Sequence, residues 1–257
     1  MTESAQDSTT TIDFGFKEVD PAEKTGLVGE VFDTVADRYD VMNDLMSVGV
    51  HRLWKAHFVA GCHFKPGDQL LDLAGGTGDI AKLAMRHGAD PIVADINASM
   101  LKAGQRRMDQ RGLTHRFQWL NANAECLPLA SSQFDHVTIV FGFRNVTHRD
   151  QALLEMRRVL KPGGRLHIME FAPVNTPGLA KAYDAWSFKV LPWLGQRLTG
   201  SAESYQYLAE SIRRFPDQAT LATMLARNGF IGTRWRNLSG GICAIHRAQK
   251  PPEPNDA

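Results

Sequence analysis

The chain has 257 residues, of which 43% are hydrophobic, and its 29 basic and 28 acidic side chains give a formal net charge of +1. This length predicts one domain with a sizeable core and an N-terminal appendage, and the balanced charge gives no reason to expect nucleic acid. The charge is uneven along the chain, because eight bases stand against three acids between Arg197 and Lys250. This excess indicates either a solvated basic face or attraction to an anionic membrane surface.

The spacing of cysteine and histidine argues against the common metal and disulfide frameworks. The 3 cysteines form no C-x-x-C pair, and no two of the 9 histidines stand three to five residues apart. We therefore expect no metal. The segment up to Thr11 is polar and carries two acids, which does not resemble a signal peptide. No apolar run approaches the roughly 20 residues that span a bilayer. These features predict a soluble, reduced, cytoplasmic protein.

The beginning of the chain divides into a polar tail and a helical region. Residues 1–20 are polar, which predicts a mobile tail. Apolar residues then recur with the period of one helix face from Leu27 to Tyr39. This periodicity predicts helices over residues 23–62, ahead of a turn at Pro66.

From residue 69 onward, short apolar runs alternate with helical segments. Helices are predicted after each of the first two strands, the second with Asn97 as its N-cap. Another helix is predicted to begin at Thr147, with Asp150 in the capping-box position, and to end before Pro162. This alternation predicts a parallel sheet with helices on both faces. Strands are predicted over residues 69–74, 91–96, 117–120, 135–141 and 166–172.

The last third of the chain changes this rhythm. Residues 173–215 form an aromatic-rich helical insertion, and after one more helix two strands are separated only by Ser239, Gly240 and Gly241. So short a link forces a hairpin, because a parallel crossover needs about a dozen residues or more. We therefore predict an α/β fold with a doubly wound, mostly parallel sheet and one antiparallel strand. This arrangement resembles the seven-stranded, Rossmann-like sheet of class I methyltransferases that use S-adenosylmethionine (SAM).

The run LLDLAGGTGD, which starts at Leu70, leads from a buried strand into a glycine-rich turn. Gly76, Gly78 and Ala81 satisfy the dinucleotide spacing G-x-G-x-x-G/A, and Asp95 stands at a suitable distance for a ribose contact. The same run is also similar to the first motif of SAM-dependent methyltransferases. Taken alone, the turn fits both cofactors, and the final hairpin favours SAM.

Ligands of an open α/β sheet bind beyond the carboxyl ends of its strands, so the polar residues at those ends are the candidates. Glycines at a helix start suit a carboxylate, an ionised aspartate suits the two hydroxyls of a ribose, and the loop after the third strand suits an adenine edge. A plain polar loop at residues 123–125 and an ion pair of Arg144 with a structural carboxylate stay open as alternatives. The candidates are Gly75, Gly76, Thr77, Gly78, Asp95, Asn123, Ala124, Glu125, Arg144 and Asn145.

Two longer stretches resemble a known family. Residues 39–54, YDVMNDLMSVGVHRLW, resemble the first signature of the ubiquinone/menaquinone biosynthesis C-methyltransferases of the UbiE type. Residues 158–170, RVLKPGGRLHIME, resemble the second signature of that family. The resemblance extends from about Phe14 to Arg247.

The resemblance implies SAM as the cofactor, contacted by Thr77, Asp95, Asn123 and Ala124. It implies a quinol ring with a polyprenyl tail as the substrate. That substrate is 2-methoxy-6-polyprenyl-1,4-benzoquinol for ubiquinone or demethylmenaquinol for menaquinone. Further expected partners are the inner face of the membrane or a quinone-synthesis complex, met peripherally, and a second copy of the chain in a homodimer.

Two positions depart from the family pattern. Val140 and Ala172 stand where a serine is usual, and each removes one hydrogen bond. An inactive, methyltransferase-like scaffold of a quinone-synthesis complex is therefore one alternative. An NAD(P)-dependent oxidoreductase is the other.

The expected chemistry places a ring carbon in line with the sulfonium methyl, so positioning supplies much of the rate. Arg144, which is always charged, is expected to stabilise the developing phenolate, and Asn145 to orient the ring oxygen. The group that removes the phenol proton stays open between a water held by Arg144 and the side chains of Asp79, Tyr39 and His148.

The expected organisation is a single domain over residues 21–250 between tails over 1–20 and 251–257. The aromatic insertion offers either an apolar groove for the polyprenyl tail or plain core. Within the domain we expect an N-terminal helical lid (21–62), a SAM-binding core (63–172), a helical substrate insertion (173–215) and a last helix with a hairpin (216–250).

Overall fold

The computed structural model describes residues 11–35, 39–47, 49–174, 177–199 and 202–253. The described chain opens with a short antiparallel hairpin where the sequence predicted a mobile tail, and the helical region that follows consists of three separate helices. These elements are β1 (Ile12–Phe14), β2 (Lys17–Val19), α1 (Pro21–Val35), α2 (Tyr39–Ser47) and α3 (His51–Ala60).

A seven-stranded sheet forms the centre of the molecule. Its strands are β3 (Gln69–Leu73), β4 (Asp90–Asp95), β5 (Gln118–Asn121), β6 (Phe134–Val140), β7 (Leu160–Phe171), β8 (Ile231–Leu238) and β9 (Cys243–Gln249). Their order across the sheet is β5-β4-β3-β6-β7-β9-β8, with β9 antiparallel to both of its neighbours and the other pairs parallel. The predicted sheet with one antiparallel strand is confirmed.

The order of the strands fixes where a ligand can enter. The chain leaves β3 towards β4 on one side, whereas β6 lies on the other side of β3. The helices that follow these strands therefore pack on opposite faces, and a crevice opens between them at the carboxyl ends of β3 and β6. The flanking helices are α4 (Asp79–Met85), α5 (Ala98–Asp109), α6 (Arg149–Val159) and α10 (Gln218–Arg227).

The insertion is helical, as predicted, and most of its aromatic side chains belong to the core. Tyr205 is fully buried and Tyr207 and Phe215 nearly so, whereas Trp193 is 53% exposed. Packing against the sheet therefore explains most of this aromatic content. The insertion comprises α7 (Pro177–Ala185), a π-helical turn (Trp186–Val190), α8 (Leu191–Thr199) and α9 (Ala202–Arg214).

Two predicted helix starts have different outcomes. The Asn97 side chain accepts a hydrogen bond from Met100 N at 2.9 Å, so the predicted cap of α5 is confirmed. The predicted capping box at Thr147 and Asp150 is wrong. The residue before α6 is His148, without a side-chain cap, and Asp150 instead accepts hydrogen bonds from Arg227 and Asn228. Asp150 therefore bonds to these distant side chains and not to the backbone at the start of α6, as a capping box would require.

Among the described residues, no helix has both the length and the apolar character needed to cross a bilayer.

Candidate active site

A pocket opens at the carboxyl ends of the parallel strands. The ends of four strands and the loops after them form its wall, namely residues 72–77, 94–97, 122–125, 139–142 and 145–147. Helix α1 covers one side with Val28 and Phe32, and Lys55 reaches in from α3. We call this the cofactor pocket.

The glycine turn after β3 is shaped by close backbone approach. A Cβ at Gly75 would lie 2.8 Å from Val93 Cγ1 and 2.9 Å from the Asp72 carbonyl oxygen, so no larger residue fits there. Gly78 is the N-cap of α4 and has φ +78°, a left-handed backbone conformation that favours glycine. Gly75, Gly76 and Thr77 line the cofactor pocket, whereas Gly78 does not. Gly78 therefore shapes the turn, and its contact with a cofactor stays a prediction.

Asp95 stands at the end of β4 with both carboxylate oxygens fixed. Oδ2 accepts a hydrogen bond from Gly76 N at 2.9 Å, and Oδ1 accepts one from Asn97 N at 2.8 Å. Each oxygen keeps a further lone pair, so the carboxylate can still accept from two hydroxyl groups. Burial raises the pKa of Asp95 to about 6, although these two backbone bonds lower it.

Thr77 is buried, and its hydroxyl oxygen accepts a hydrogen bond from Arg107 Nη1 at 3.3 Å. Beneath the turn, Asp72 accepts from Thr138 Oγ1 at 2.7 Å and from Ala81 N at 3.2 Å. Burial raises the pKa of Asp72 to about 7. These bonds tie the turn to both β6 and α4, so Thr77 is held in the wall of the cofactor pocket.

The loop after β5 brings three predicted residues to the cofactor pocket. Asn123, Ala124 and Glu125 all line it. Glu125 Oε1 accepts from Thr147 N at 2.9 Å and from His148 N at 3.1 Å. Glu125 thus braces this loop against the segment that leads into α6.

Arg144 does not line the cofactor pocket. It is 3% exposed, and its Nη1 donates to Glu170 Oε1 and to the Phe141 carbonyl oxygen, each at 2.6 Å. Its backbone N–H also donates to Glu170 Oε2 at 3.2 Å. This ion pair is the alternative that the sequence left open, and it leads us to expect a positioning role for Arg144 in place of the predicted direct contact with the substrate. The carboxylate that captures it lies 26 residues away along the chain.

The next residue, Asn145, does line the cofactor pocket. Tyr207 Oη donates to Asn145 Oδ1 at 3.0 Å, which leaves the side-chain amide nitrogen for a ligand. Burial raises the pKa of Tyr207 to about 12, so its hydroxyl stays protonated and remains a donor. Phe14 of the N-terminal hairpin stacks on Tyr207 with ring centroids 4.3 Å apart. The hairpin thus supports the active site from outside.

The three side chains predicted as proton acceptors have different placements. Asp79 lines the cofactor pocket, where its Oδ2 accepts from Lys55 Nζ at 3.0 Å. Burial raises the pKa of Asp79, but the Lys55 charge and hydrogen bond outweigh burial, and the net pKa is lowered. His148 is exposed and outside the pocket wall, so its predicted role is not supported. The side chain of Tyr39 lies outside the described residues.

Several functional features have no obvious signal in the sequence. Ala74 and Phe141 hold left-handed backbones, with φ of 47° and 58°, where β3 and β6 end in the cofactor pocket. Non-glycine residues with such strain cluster at functional sites. Lys55 and Tyr207 reach the site from distant helices. Of the two positions that depart from the family pattern, Val140 lines the pocket and Ala172 does not.

The model of the ubiE/COQ5 methyltransferase family matches residues 13–250. The chain belongs to the ubiE/COQ5 methyltransferase family. A relative from Xanthomonas campestris is 51% identical over 253 residues, covering 97% of this chain and all of the relative. Another relative, from Acidiphilium cryptum, is 52% identical over 243 residues, which cover 94% of this chain and 98% of the relative. Both are named ubiquinone/menaquinone biosynthesis C-methyltransferase UbiE. The family recognised in the sequence is thereby confirmed.

Solved structures share the fold at much lower identity. The [4+2]-cyclase SpnF matches with a TM-score of 0.65 and 19% identity, covering 88% of this chain and 95% of that one. A SAM-dependent methyltransferase of Thermotoga maritima matches with a TM-score of 0.61 and 18% identity, and the match covers 86% of this chain and 98% of that one. One of these neighbours is named a cyclase, so this likeness indicates the class I methyltransferase fold and leaves the reaction to the site.

Proposed function

We propose that the protein transfers the methyl group of SAM to a ring carbon of a polyprenyl quinol in ubiquinone or menaquinone biosynthesis. The observation that carries this proposal is the match of residues 13–250 to a methyltransferase family whose similar members bear that name. The cofactor pocket at the strand ends supports it, because Thr77, Asp95, Asn123 and Ala124, which the resemblance implied for SAM, all line it.

The residues of the cofactor pocket fit SAM. Asp95 has lone pairs left for both ribose hydroxyls, and Asn123 with Ala124 offers an edge for adenine. Gly75 and Gly76 let the backbone approach the ligand, and Thr77 adds a hydroxyl. When bound, SAM supplies an electrophilic methyl group on a positively charged sulfur.

For the reaction itself, we assign Asn145 to the ring oxygen of the quinol. The hydrogen bond from its amide N–H to that oxygen would become stronger as negative charge develops on the oxygen during the reaction. The Lys55 ammonium also faces the cofactor pocket and favours a phenolate electrostatically. Among the predicted proton acceptors, Asp79 lines the pocket. Its lowered pKa makes it a weak base. It would therefore take the proton from a phenol that Lys55 and Asn145 have already polarised.

We also propose that the protein contacts the membrane surface or a quinone-synthesis complex, and that it forms a homodimer. The exposed Trp193, with the Arg197 guanidinium 4.5 Å from its ring centre, supports contact with a lipid interface. Flotation with anionic vesicles at low and high salt tests this contact.

The function is tested by incubating the purified chain with methyl-labelled SAM and the demethylated quinols. We expect label on a ring carbon of at least one quinol. Asp95→Asn serves as a matched variant with weakened cofactor binding and should transfer less label at limiting SAM. Binding of SAM without transfer to either quinol would favour the scaffold alternative, and tight NADH binding without SAM binding would favour the oxidoreductase.

The pKa of Asp95 gives the cofactor affinity a defined pH dependence. Hydroxyl groups donate to the ionised carboxylate, so SAM affinity should fall as the pH drops through about 6 and Asp95 takes up a proton. A single group with this pKa predicts a loss of about tenfold between about pH 7 and about pH 5. Calorimetric titration with SAM measures it. Asp95→Asn should bind about 10- to 100-fold more weakly at neutral pH and show no such loss on acidification.

A further inference from the structure

A second cavity contains chemistry that methyl transfer does not use. Its volume is about 260 Å³, and it lies beneath the turn after α3, beside β7, β8 and β9. Arg165 in its wall precedes Phe171 by six positions of β7. At about 3.3 Å per residue, the cavity is roughly 20 Å from the strand ends of the cofactor pocket. The two cavities share no lining residue. We call the second one the arginine cavity.

Three arginines line the arginine cavity, and none of its lining residues is acidic. Arg234 on β8 is directly opposite Arg247 on β9, and Arg247 is opposite His167 on β7. Side chains in such positions have Cβ atoms about 4.5–5.5 Å apart, where like charges destabilise the sheet. Within the described part of the chain, no ion pair joins Arg165, Arg234 or Arg247 to a carboxylate. A bound anion would remove this repulsion.

The Arg247 side chain is held in place before any ligand arrives. Its Nη2 donates to the Phe58 carbonyl oxygen at 3.4 Å, near the C-terminal end of α3, where carbonyl dipoles favour a cation. A Cβ at Gly61 would collide with the Arg247 guanidinium, so glycine makes room for this close approach. The guanidinium is therefore preorganised, which lowers the entropic cost of binding an anion.

His167 lines the arginine cavity and has an unused hydrogen-bond acceptor. Its Nε2 lies 3.1 Å from His136 Nδ1, and His136 Nε2 lies 3.1 Å from Asp68 Oδ2. Because an ionised carboxylate only accepts, the protons of this chain belong on His136 Nε2 and His167 Nε2. Burial, together with the charge of Arg247, lowers the pKa of His167 well below its usual value. Its Nδ1 then carries a lone pair, buried and without a hydrogen-bond partner among the described residues.

We propose that the arginine cavity binds a phosphomonoester, carried by a small molecule or by a lipid headgroup. Arg165, Arg234 and Arg247 donate to the phosphate oxygens, and His167 Nδ1 accepts from the remaining P–OH. Arginine forks match phosphate geometry. The second pKa of a phosphomonoester is about 6, so the singly protonated form is available near neutrality. Sulfate supplies the oxyanion without that proton.

Calorimetric titration of the full chain with inorganic phosphate and with sulfate, at roughly pH 6.5, tests the proposal. We expect phosphate to bind at least about tenfold more tightly than sulfate, since only phosphate can donate to His167. Arg234→Gln should weaken phosphate binding about tenfold or more while SAM affinity stays unchanged, because Arg234 is exposed on an edge strand. Arg86→Gln, at an exposed arginine outside the cavity, is the matched control and should bind phosphate like the parent chain.

The proposal is overturned if phosphate does not bind, if sulfate binds equally well, or if Arg86→Gln weakens binding as much as Arg234→Gln. Gly61→Ala adds a second test, because displacing Arg247 should weaken phosphate binding while the two arginines on the other strands remain.

The source of the phosphate is decided with vesicles. Phosphatidylcholine vesicles containing phosphatidic acid present a phosphomonoester, whereas those containing phosphatidylserine present a negative charge without one. Co-sedimentation with phosphatidic acid alone, lost in Arg234→Gln, would identify a lipid headgroup. Binding of inorganic phosphate without vesicle binding would identify a small molecule. Equal binding to both anionic vesicles, unchanged by Arg234→Gln, would assign vesicle binding to the surface around Trp193 and exclude a lipid headgroup as the ligand of the arginine cavity.

Discussion

Glu170→Ala is expected to lower the free energy of unfolding by about 3–5 kcal/mol, because it leaves the charge of Arg144 buried without its carboxylate. Both side chains of the pair are only 2% exposed. Urea denaturation followed by circular dichroism measures the change. Lys161→Ala removes a partly exposed partner of Asp135 and should cost less than about 1 kcal/mol, which makes it the matched control.

The double variant Arg144→Met with Glu170→Leu separates stability from positioning. Replacing a buried pair by apolar residues of similar size is often neutral or stabilising, so this variant should fold. It should still lose turnover, because Arg144 no longer fixes the segment that carries Asn145. Full activity in the folded double variant would contradict the positioning role. A loss below about 1 kcal/mol in Glu170→Ala would contradict the buried pair itself.

Asn145→Ala is expected to reduce kcat about 100- to 1,000-fold, the usual cost of removing one donor from a developing oxyanion. SAM affinity should change little, because Asp95 and the glycine turn hold the cofactor on other strands. Steady-state kinetics with a saturating quinol, together with SAM titration, measure both quantities.

Tyr207→Phe is the matched control for this prediction. It removes only the hydroxyl that orients the Asn145 amide, so kcat should fall less than in Asn145→Ala while the stacking partner of Phe14 is retained. Unchanged turnover in Asn145→Ala would exclude the oxyanion role. An equal loss of SAM affinity and turnover would assign Asn145 to the cofactor instead.

Features that depend on neighbours in the chain could be predicted from the sequence. The glycine turn after β3, the helix cap at Asn97 and the hairpin of β8 with β9 each follow from a few consecutive residues. The position of Asp95 in the cofactor pocket could also be predicted, because a residue at the end of a predicted strand lies at the ligand-binding edge of the sheet. The capping box at Thr147 was wrong, because a helix terminus is decided jointly with distant partners such as Arg227.

The roles of individual side chains at the site depend on contacts between distant segments. Arg144 could face either a substrate or a structural carboxylate, and only the pairing of β6 with β7 brought Glu170 within 2.6 Å. Lys55 is 24 residues from Asp79, and Tyr207 is 62 residues from Asn145. No local periodicity encodes such contacts. The arginine cavity likewise exists only because three strands align their basic residues.

The sequence by itself determined the family, the alternation of strands and helices, and most of the candidate residues that line the cofactor pocket, because those features depend on local spacing and long signatures. The tertiary structure decided which charged groups face the ligand and which are neutralised inside the protein. That outcome depends on burial, since a guanidinium at 3% exposure is costly to leave without a carboxylate partner. Of the catalytic candidates from the sequence, Asn145 and Asp79 line the cofactor pocket and Arg144 does not, and Lys55 is a candidate that the structure adds.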